Sequence, residues 1–249
     1  MNLRAALASA DAKAPYVRRL FHTIADRYDL ITVLFSYGRD RRWKERVVTL
    51  ADVRPGQRAL DLAAGTGDIA FGLAARGAHV VALDITHRML EIAKGKRPPA
   101  AAVTFVTGDM MALPFPDDAF DLVTTGYGIR NLPAIEPALA EIRRVLRPGG
   151  LLLSLDFDRP RNAAVRGIYL GYLTVVGSAA GWILHRDADT YRYIPESIRR
   201  YPGAAGVSSM LARAGFVESR VLALLGGLMA INVARRPGVL PSSAAREGG

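Results

Sequence analysis

The sequence predicts an α/β fold built on a mostly parallel sheet with helices on both faces. Three observations carry that expectation. Strand-like apolar runs alternate with helical patterns between Arg58 and Phe157, a Gly-rich turn follows the first run, and two closing strands flank Gly226-Gly227. Alternating strands and helices require crossover connections, which leave neighbouring strands parallel, whereas a short Gly-Gly link folds two strands into an antiparallel hairpin.

In chain order, Tyr16 to Asp29 places Val17, Leu20, Phe21 and Ile24 on one helical face after Pro15, and a second helical stretch runs from about Asp40 to Leu50. Both precede the core and are expected to cover its open edge. Arg54-Pro55-Gly56-Gln57 then turns the chain into strands at Arg58 to Leu62, His79 to Asp84, Val103 to Thr107, Phe120 to Thr125 and Leu151 to Phe157. The intervening helices are Gly67 to Arg76, Thr86 to Gly95 and Ala134 to Leu146, the last stopped by Arg147-Pro148-Gly149-Gly150. Gly167 to Leu184 carries no charge over eighteen residues, near the lower length limit for a membrane span, but four glycines dilute it. It reads as an apolar lid over a hydrophobic substrate, with Leu173 at its centre, or as a buried helix. Ala204 to Ala214 is a helix stopped by Gly215, and Phe216 to Ala223 with Leu228 to Ala234 form the hairpin. One domain over 1–236 results, with a helical cap at 16–50, a core at 56–158, a lid at 160–202 and the hairpin at 216–236. From Pro237 the Gly, Pro, Ser and Ala composition suggests a disordered tail, 237–249.

With 249 residues, half of them hydrophobic, the chain can bury one sizeable core. No cysteine is present, which excludes disulfides, thiolate metal sites and a cysteine nucleophile, and no metal site is expected. The formal charge of +10 comes mainly from arginine and suits an anionic surface. No basic run interleaved with aromatics accompanies it, so nucleic acid is not an expected partner. Met1 to Pro15 lacks an apolar signal core, and a cytoplasmic location is expected.

The chemistry concentrates at ALDLAAGTGD, Ala59 to Asp68, and VVALD, Val80 to Asp84. Gly65 and Gly67 permit positive φ and remove the Cβ that would keep a ligand from the backbone. Asp84 ends the second strand, where a carboxylate can accept ribose hydroxyls. Asp109 follows the third strand and is placed to accept an adenine amine, with Met110 as an apolar wall. Three acids at successive strand ends describe a nucleoside site on the carboxyl edge of the sheet. Gly65-x-Gly67-x-x-Ala70 also satisfies a relaxed dinucleotide fingerprint, but Asp61 beside the turn would repel a pyrophosphate and suits the cationic amino-acid end of S-adenosylmethionine. The acid-x3-Gly-x-Gly spacing resembles the first motif of the class I methyltransferases, with Ala63 where the first glycine usually stands.

Four further stretches resemble the ubiquinone/menaquinone biosynthesis C-methyltransferases: YDLITVLFSYGRDRRW (28–43), GYGIRNL (126–132), RVLRPGGLLLSLDF (144–157) and DADTYRYIPESIRRYP (187–202). LLGGLMAINVARR (224–236) resembles the family's closing hairpin. The resemblance implies a Rossmann-like, seven-stranded class I methyltransferase fold and S-adenosyl-L-methionine as cofactor, held by Asp61, Gly65, Thr66, Gly67, Asp84, Asp109, Met110 and Gly126. It implies C-methylation of a prenylated quinol, demethylmenaquinol or a ubiquinone precursor, with another aromatic metabolite or a non-catalytic assembly role as alternatives. Peripheral contact with the inner face of the membrane and a homodimer are also consistent with it.

Such an enzyme must align ring carbon, methyl and sulfur and raise electron density on the ring, which favours an ionised ring hydroxyl. None of the four histidines falls in a motif as a base. Arg130 and Asn131 match the family's Gly-x-Arg-Asn signature, and Arg130, always charged, is assigned as phenolate stabiliser and water positioner. Tyr28 and Tyr201 are candidates to orient a substrate hydroxyl. Against the family pattern, Ile31-Thr32, Asp40, Asp156, Asp158 and Asn232 stand where Met-Asn, His, Glu, Ser and His are usual, and these departures bear on the acceptor.

Overall fold

The computed structural model describes residues 9–160 and 162–238, with Leu3 and Leu7 besides. Helix α1 (Ala10–Ile24), a 3-10 turn (Ala25–Arg27), α2 (Tyr28–Phe35) and α3 (Asp40–Leu50) precede the core. The core runs β1 (Arg58–Leu62), α4 (Asp68–Ala74), β2 (His79–Asp84), α5 (His87–Lys96), β3 (Val103–Thr107), β4 (Phe120–Gly126), α6 (Glu136–Val145) and β5 (Leu146–Phe157). Helices α7 (Ala163–His185), α8 (Asp189–Arg200) and α9 (Gly203–Arg213) lead to β6 (Val217–Leu224) and β7 (Met229–Arg235).

The strands lie in the order β3-β2-β1-β4-β5-β7-β6. Every pairing is parallel except those of β7, which slots antiparallel between β5 and β6 as the expected hairpin requires. Because the chain steps outward from β1 to β3 and then returns to β4 on the other side, a crevice opens between the ends of β1 and β4. Alternation along β1 sends Ala59 into one core and Leu60 and Leu62 into the other, and all three are fully buried. The first core lies under α1 to α4 and α7; the second lies under α6 and α9.

Several boundaries differ from the sequence reading, each for a local reason. Helix α1 starts at Ala10 because Ser9 caps it, its hydroxyl oxygen accepting the Ala12 N–H at 3.2 Å, and Pro15 lies inside the helix. The expected single helix through Asp29 is broken by the 3-10 turn. Strand β5 starts at Leu146, which pairs with Phe120 before a register shift absorbs the Pro-Gly-Gly excursion. Helix α8, with Pro195 inside it, carries the stretch quoted above as a motif without an assigned structure. Of the expected tail, residues 239–249 lie outside the described residues.

Helix α7 differs from the sequence reading in where it starts and in which residues it turns outward. It starts at Ala163, four residues upstream of the expected start, because Asn162 caps it, accepting the N–H groups of Ala164 and Val165 at 2.9 and 3.2 Å. Leu173 is fully buried against the core and is not a surface for substrate. A Cβ on Gly177 would stand 3.0 Å from the Tyr191 carbonyl, so this glycine lets α7 and α8 approach rather than leaving room for a ligand. The outward face instead presents Ile168, Val175, Trp182 and Ile183, each at least 64% exposed.

The turn after β1 is tightly wound. Gly65 and Gly67 have φ of +54° and +93°, as expected, and Ala63 shares the left-handed region at +51°. An alanine held there costs about 1 kcal/mol relative to its relaxed state. Ala63→Gly is therefore expected to stabilise the fold by about 0.5–1 kcal/mol, read as a higher urea midpoint at unchanged slope; an unchanged or lower midpoint would show that the alanine is not strained.

Candidate active site

Three joined cavities lie over the crevice at the carboxyl edge. The first, about 760 Å³, is lined by Asp84, Asp109, Met110, Gly126 and Asn131 and roofed by Ala14, Val17 and Phe21 of α1. The second, about 540 Å³, is mainly apolar and lies among α1, α2 and α8, with Arg130 and Tyr127 at its floor. The third, about 300 Å³, holds Lys44, Asp61, Gly65, Thr66 and Asp68. Tyr28 and Tyr127 line all three.

The third cavity has the character of a zwitterion site. Asp61, at the end of β1, is 1% exposed; one carboxylate oxygen accepts the Thr124 hydroxyl at 2.8 Å and the other has no partner. Burial pushes its carboxyl up to about 7, with the Thr124 hydrogen bond opposing. Across the cavity, the Lys44 ammonium meets Asp40 at 2.6 Å and Asp68 at 2.8 Å. Burial works against its charge, but Asp40 and the neighbouring groups outweigh it and hold the amine above its ordinary range. One unpaired buried acceptor and an ammonium with a third N–H fit the ammonium and carboxylate of an amino acid.

The other expected cofactor residues divide. Asp84 is buried, and its two oxygens accept the N–H groups of Gly65 at 2.9 Å and Thr86 at 2.8 Å. It thus fastens the Gly-rich turn to β2, and the lone pairs that remain face the first cavity. Asp109 accepts the Met111 N–H at 2.9 Å and lines the same cavity with Met110. Gly126 borders two cavities, and a Cβ there would stand 2.9 Å from Ile69. Thr66 lines the third cavity and turns its hydroxyl to Asp29 at 2.7 Å. Gly67 lines none of the three: it caps α4, and a Cβ there would meet the Phe71 ring at 2.7 Å.

Arg130 and Asn131 sit in a 3-10 turn (Ile129–Asn131) after β4. Arg130 is 6% exposed; its guanidinium donates to the Tyr127 carbonyl at 3.0 Å, lies 3.6 Å from Asp156 and stacks 4.8 Å from the Phe157 ring centroid. Its Nε is buried without a partner. The arginine is thus both half of a buried ion pair and a free donor bordering the second cavity. Asn131 donates to the Tyr127 carbonyl at 2.7 Å and accepts the Tyr193 hydroxyl at 3.0 Å. Tyr28 is half-buried, and burial raises its phenol above the ordinary value. Tyr201 is not a site residue: it packs in the second core and lines none of the three cavities. No histidine lines them either.

Lys44, Tyr127 and Tyr193 were not singled out from the sequence. Tyr127 and Tyr193 lie inside the quoted stretches, and Lys44 is one of few lysines in an arginine-rich chain, but nothing local marks a role. Tyr127, at φ +60°, donates to Asp40 at 2.7 Å, so Asp40, where a histidine is usual, joins Tyr127 to Lys44. Asp158 and Asn232, two other departures, hold the N–H and carbonyl of Ala204 at 2.8 and 2.9 Å, away from the cavities.

A doubly wound sheet with an acid-lined crevice, a Gly-rich turn after β1 and an amino-acid site beside it defines an S-adenosylmethionine-dependent methyltransferase of class I. Solved structures agree on the fold: a SAM-dependent methyltransferase from Thermotoga maritima, described as a possible histamine N-methyltransferase, superposes with a TM-score of 0.63 at 18% identity, covering 88% of this chain and 99% of that one. Phosphoethanolamine N-methyltransferase 2 of Haemonchus contortus, in complex with S-adenosyl-L-methionine, gives 0.55 at 17% identity over 74% of this chain and 50% of that one. The chain belongs to the ubiE/COQ5 methyltransferase family, whose model matches residues 9–236. It is 39% identical to ubiquinone/menaquinone biosynthesis C-methyltransferase UbiE of Azotobacter vinelandii, over 90% of this chain and 91% of that protein. It is 43% identical to demethylmenaquinone methyltransferase of Thermus thermophilus, over 88% of this chain and 100% of that protein.

The Asp61 geometry sets a pH dependence. Its carboxyl rises from 3.8 to about 7 on folding, so the stability it contributes is full below about pH 4 and lost as pH rises through 7. At pH 8 the ionised group is a cost to the ligand-free protein. Asp61→Asn is expected to stabilise that protein by about 1–3 kcal/mol at pH 8, with the gain shrinking toward pH 5. The same variant should bind S-adenosylmethionine at least about tenfold more weakly, the loss of a charged partner. Urea unfolding at the two pH values and calorimetric titration measure both; a variant that is less stable at pH 8 yet binds normally would refute the assignment.

Proposed function

We propose that this S-adenosylmethionine-dependent C-methyltransferase of quinone biosynthesis acts on a prenylated hydroquinone of the demethylmenaquinol kind. In this reading the cofactor occupies the first and third cavities and the ring occupies the second. The observation that carries it is the junction: a polar amino-acid site and a mainly apolar pocket with a buried arginine meet at Tyr28 and Tyr127. The names of the UbiE and demethylmenaquinone methyltransferase relatives support the choice of acceptor.

When bound, the cofactor supplies a methyl group already activated on a sulfonium. The residues of the chain then have binding and alignment to perform. Asp61 receives the ammonium on its free oxygen, Lys44 faces the carboxylate, Asp84 and Asp109 accept from ribose and adenine, and Gly65, Thr66, Met110 and Gly126 shape the walls. Gly67 acts through the turn it caps. Arg130 presents Nε to the ionised ring hydroxyl, which raises electron density at the neighbouring carbon. Being always charged, it holds a water for the departing ring proton rather than taking that proton itself. Tyr28 orients the ring hydroxyl, and Asn131, fixed by Tyr193, keeps the turn in place.

A prenyl tail of several units buries hundreds of Å² at roughly 25 cal/mol per Å², so it stays in lipid or in an apolar groove. Ile31 and Phe35 line the second cavity from α2, whose other side exposes Leu30, Val33 and Leu34. Tyr37 stacks on Tyr172 at 5.5 Å and joins this patch to the outward face of α7. Helix α7 has the length and composition of a span, with 33% of its apolar window buried in the fold. In the proposed arrangement it lies on the cytoplasmic side of the bilayer, held by apolar contact and by arginines that each contribute about 1 kcal/mol near anionic headgroups.

Turnover of a demethylated prenyl naphthoquinol with S-adenosylmethionine tests the function; cofactor binding without methylation of any quinol would end it. Arg130→Met is expected to lower kcat by about 10²- to 10³-fold, the scale of losing one charge-stabilising donor, with cofactor affinity little changed. A loss confined to cofactor affinity would remove Arg130 from the acceptor site. For the membrane, Val175→Asp with Ile183→Asp should abolish salt-sensitive sedimentation with anionic liposomes while sparing a short-tailed acceptor. Sedimentation unchanged in that variant would place the contact elsewhere.

A further inference from the structure

Helix α1 and the Arg130-Asn131 turn both border the two larger cavities. From α1, Val17 roofs the first, Leu20 and Ile24 wall the second, and Phe21 borders both. From the turn, Asn131 and Leu132 border the first and Arg130 borders the second. A ligand held in either cavity is therefore enclosed by the same pair of elements. Among the described residues, the hydrogen bonds between them come from one side chain: Lys13 of α1 donates to the carbonyl oxygens of Arg130 at 3.0 Å and Leu132 at 2.5 Å.

We infer that Lys13 is a positioning residue for methyl transfer, latching α1 to the turn so that closure of the roof over the cofactor also sets Arg130 and Asn131 for the acceptor. Ala14, Val17 and Phe21 of α1 cover the first cavity, so release of the latch in each cycle would widen the way in and out for cofactor and product. Its chemistry suits that demand. The two carbonyl oxygens belong to a turn already fixed from the other side by Tyr193 through Asn131, which makes the turn the stationary half and α1 the moving half. The charged groups around the amine are Arg130 on the turn, Arg200 at the end of α8 and Asp156 on β5. Burial, helped by the two arginines and opposed by Asp156, lowers the amine to about 8. An ammonium kept close to its neutral form in this way makes charge-assisted hydrogen bonds that are weakened at modest cost. Arg200 also donates to the Leu7 carbonyl, so the same positive group steadies the chain just ahead of α1.

The inference rests on the cofactor occupying the first cavity, and the test keeps the two apart. Stopped-flow dissociation of S-adenosylhomocysteine is measured for the wild type, Lys13→Met and Lys13→Arg between pH 7 and 9. The methionine variant should release it about tenfold faster or more at pH 7, the scale of losing charge-assisted hydrogen bonds, and should show a lower kcat. The wild type should speed up part of the way toward that rate as the pH rises through about 8, because the neutral amine keeps two N–H donors but loses the charge assistance, and the arginine variant, which stays charged, should remain slow at pH 9. Equal dissociation rates and equal kcat for the wild type and Lys13→Met would overturn the latch. Failure of the wild type to bind S-adenosylhomocysteine would overturn the cofactor reading and the latch together. Hydrogen exchange on the wild type gives a check that needs no variant: bound S-adenosylhomocysteine should protect residues 10–24 and 129–132 together, and protection of one without the other would overturn the coupling.

Discussion

Burying a carboxylate in a protein is unfavourable unless its oxygens are met, and this fold buries Asp40, Asp61, Asp84 and Asp156 around one crevice. Three of them are satisfied by the chain itself. Asp84 takes two backbone N–H groups, Asp40 takes Lys44 and Tyr127, and Asp156 takes the Arg130 N–H at 3.1 Å beside its guanidinium. Asp61 alone keeps an oxygen without a partner. The same desolvation that raises its carboxyl sharpens its preference for a cation, because a charge in a water-poor cavity attracts an opposite charge more strongly than one in water. Much of the surrounding structure can be understood as the means of holding that one incomplete group in place.

The sheet, its mostly parallel pairing and the turn after β1 were legible because each depends on local pattern: apolar runs ending in acids, glycines at left-handed positions, and helices between. The closing hairpin was legible from Gly226-Gly227. What was not legible depends on where the cap helices land. Lys44 matters because α3 brings it over Asp68 and Tyr127; Tyr193 matters because α8 brings it to Asn131 across sixty-two positions of sequence. No periodicity in either helix encodes that placement. Conversely, Tyr201, a candidate to orient a substrate hydroxyl, and Leu173, at the centre of a segment that read as a lid or a buried helix, are both core residues, since an aromatic or apolar residue has the same sequence signature whichever way it faces.

The departures from the family pattern separate by location. Asp158 and Asn232 converge on Ala204 and serve to seat α9 against β7. Asp40 and Asp156 act through Tyr127 and Arg130, and so affect the site indirectly. Ile31 and Thr32 line the second cavity directly. Six differences that carry equal weight in the sequence therefore differ sharply in how near they stand to the cavities.

Tyr28 and Tyr127 border every cavity, and this sharing constrains how such a protein can diverge. With donor and acceptor placed as proposed, a change at either tyrosine alters the grip on both at once, so it cannot be selected for a new acceptor without disturbing the donor. Ile31, Thr32, Phe35 and Ile194 border only the second cavity, the proposed acceptor pocket, and stand on helices outside the sheet. Innovation in acceptor choice is thereby channelled to α2 and α8, while the donor machinery at the sheet edge is insulated from it. A lineage can exchange one ring for another by redrafting two peripheral helices, leaving the strand ends beneath them unaltered.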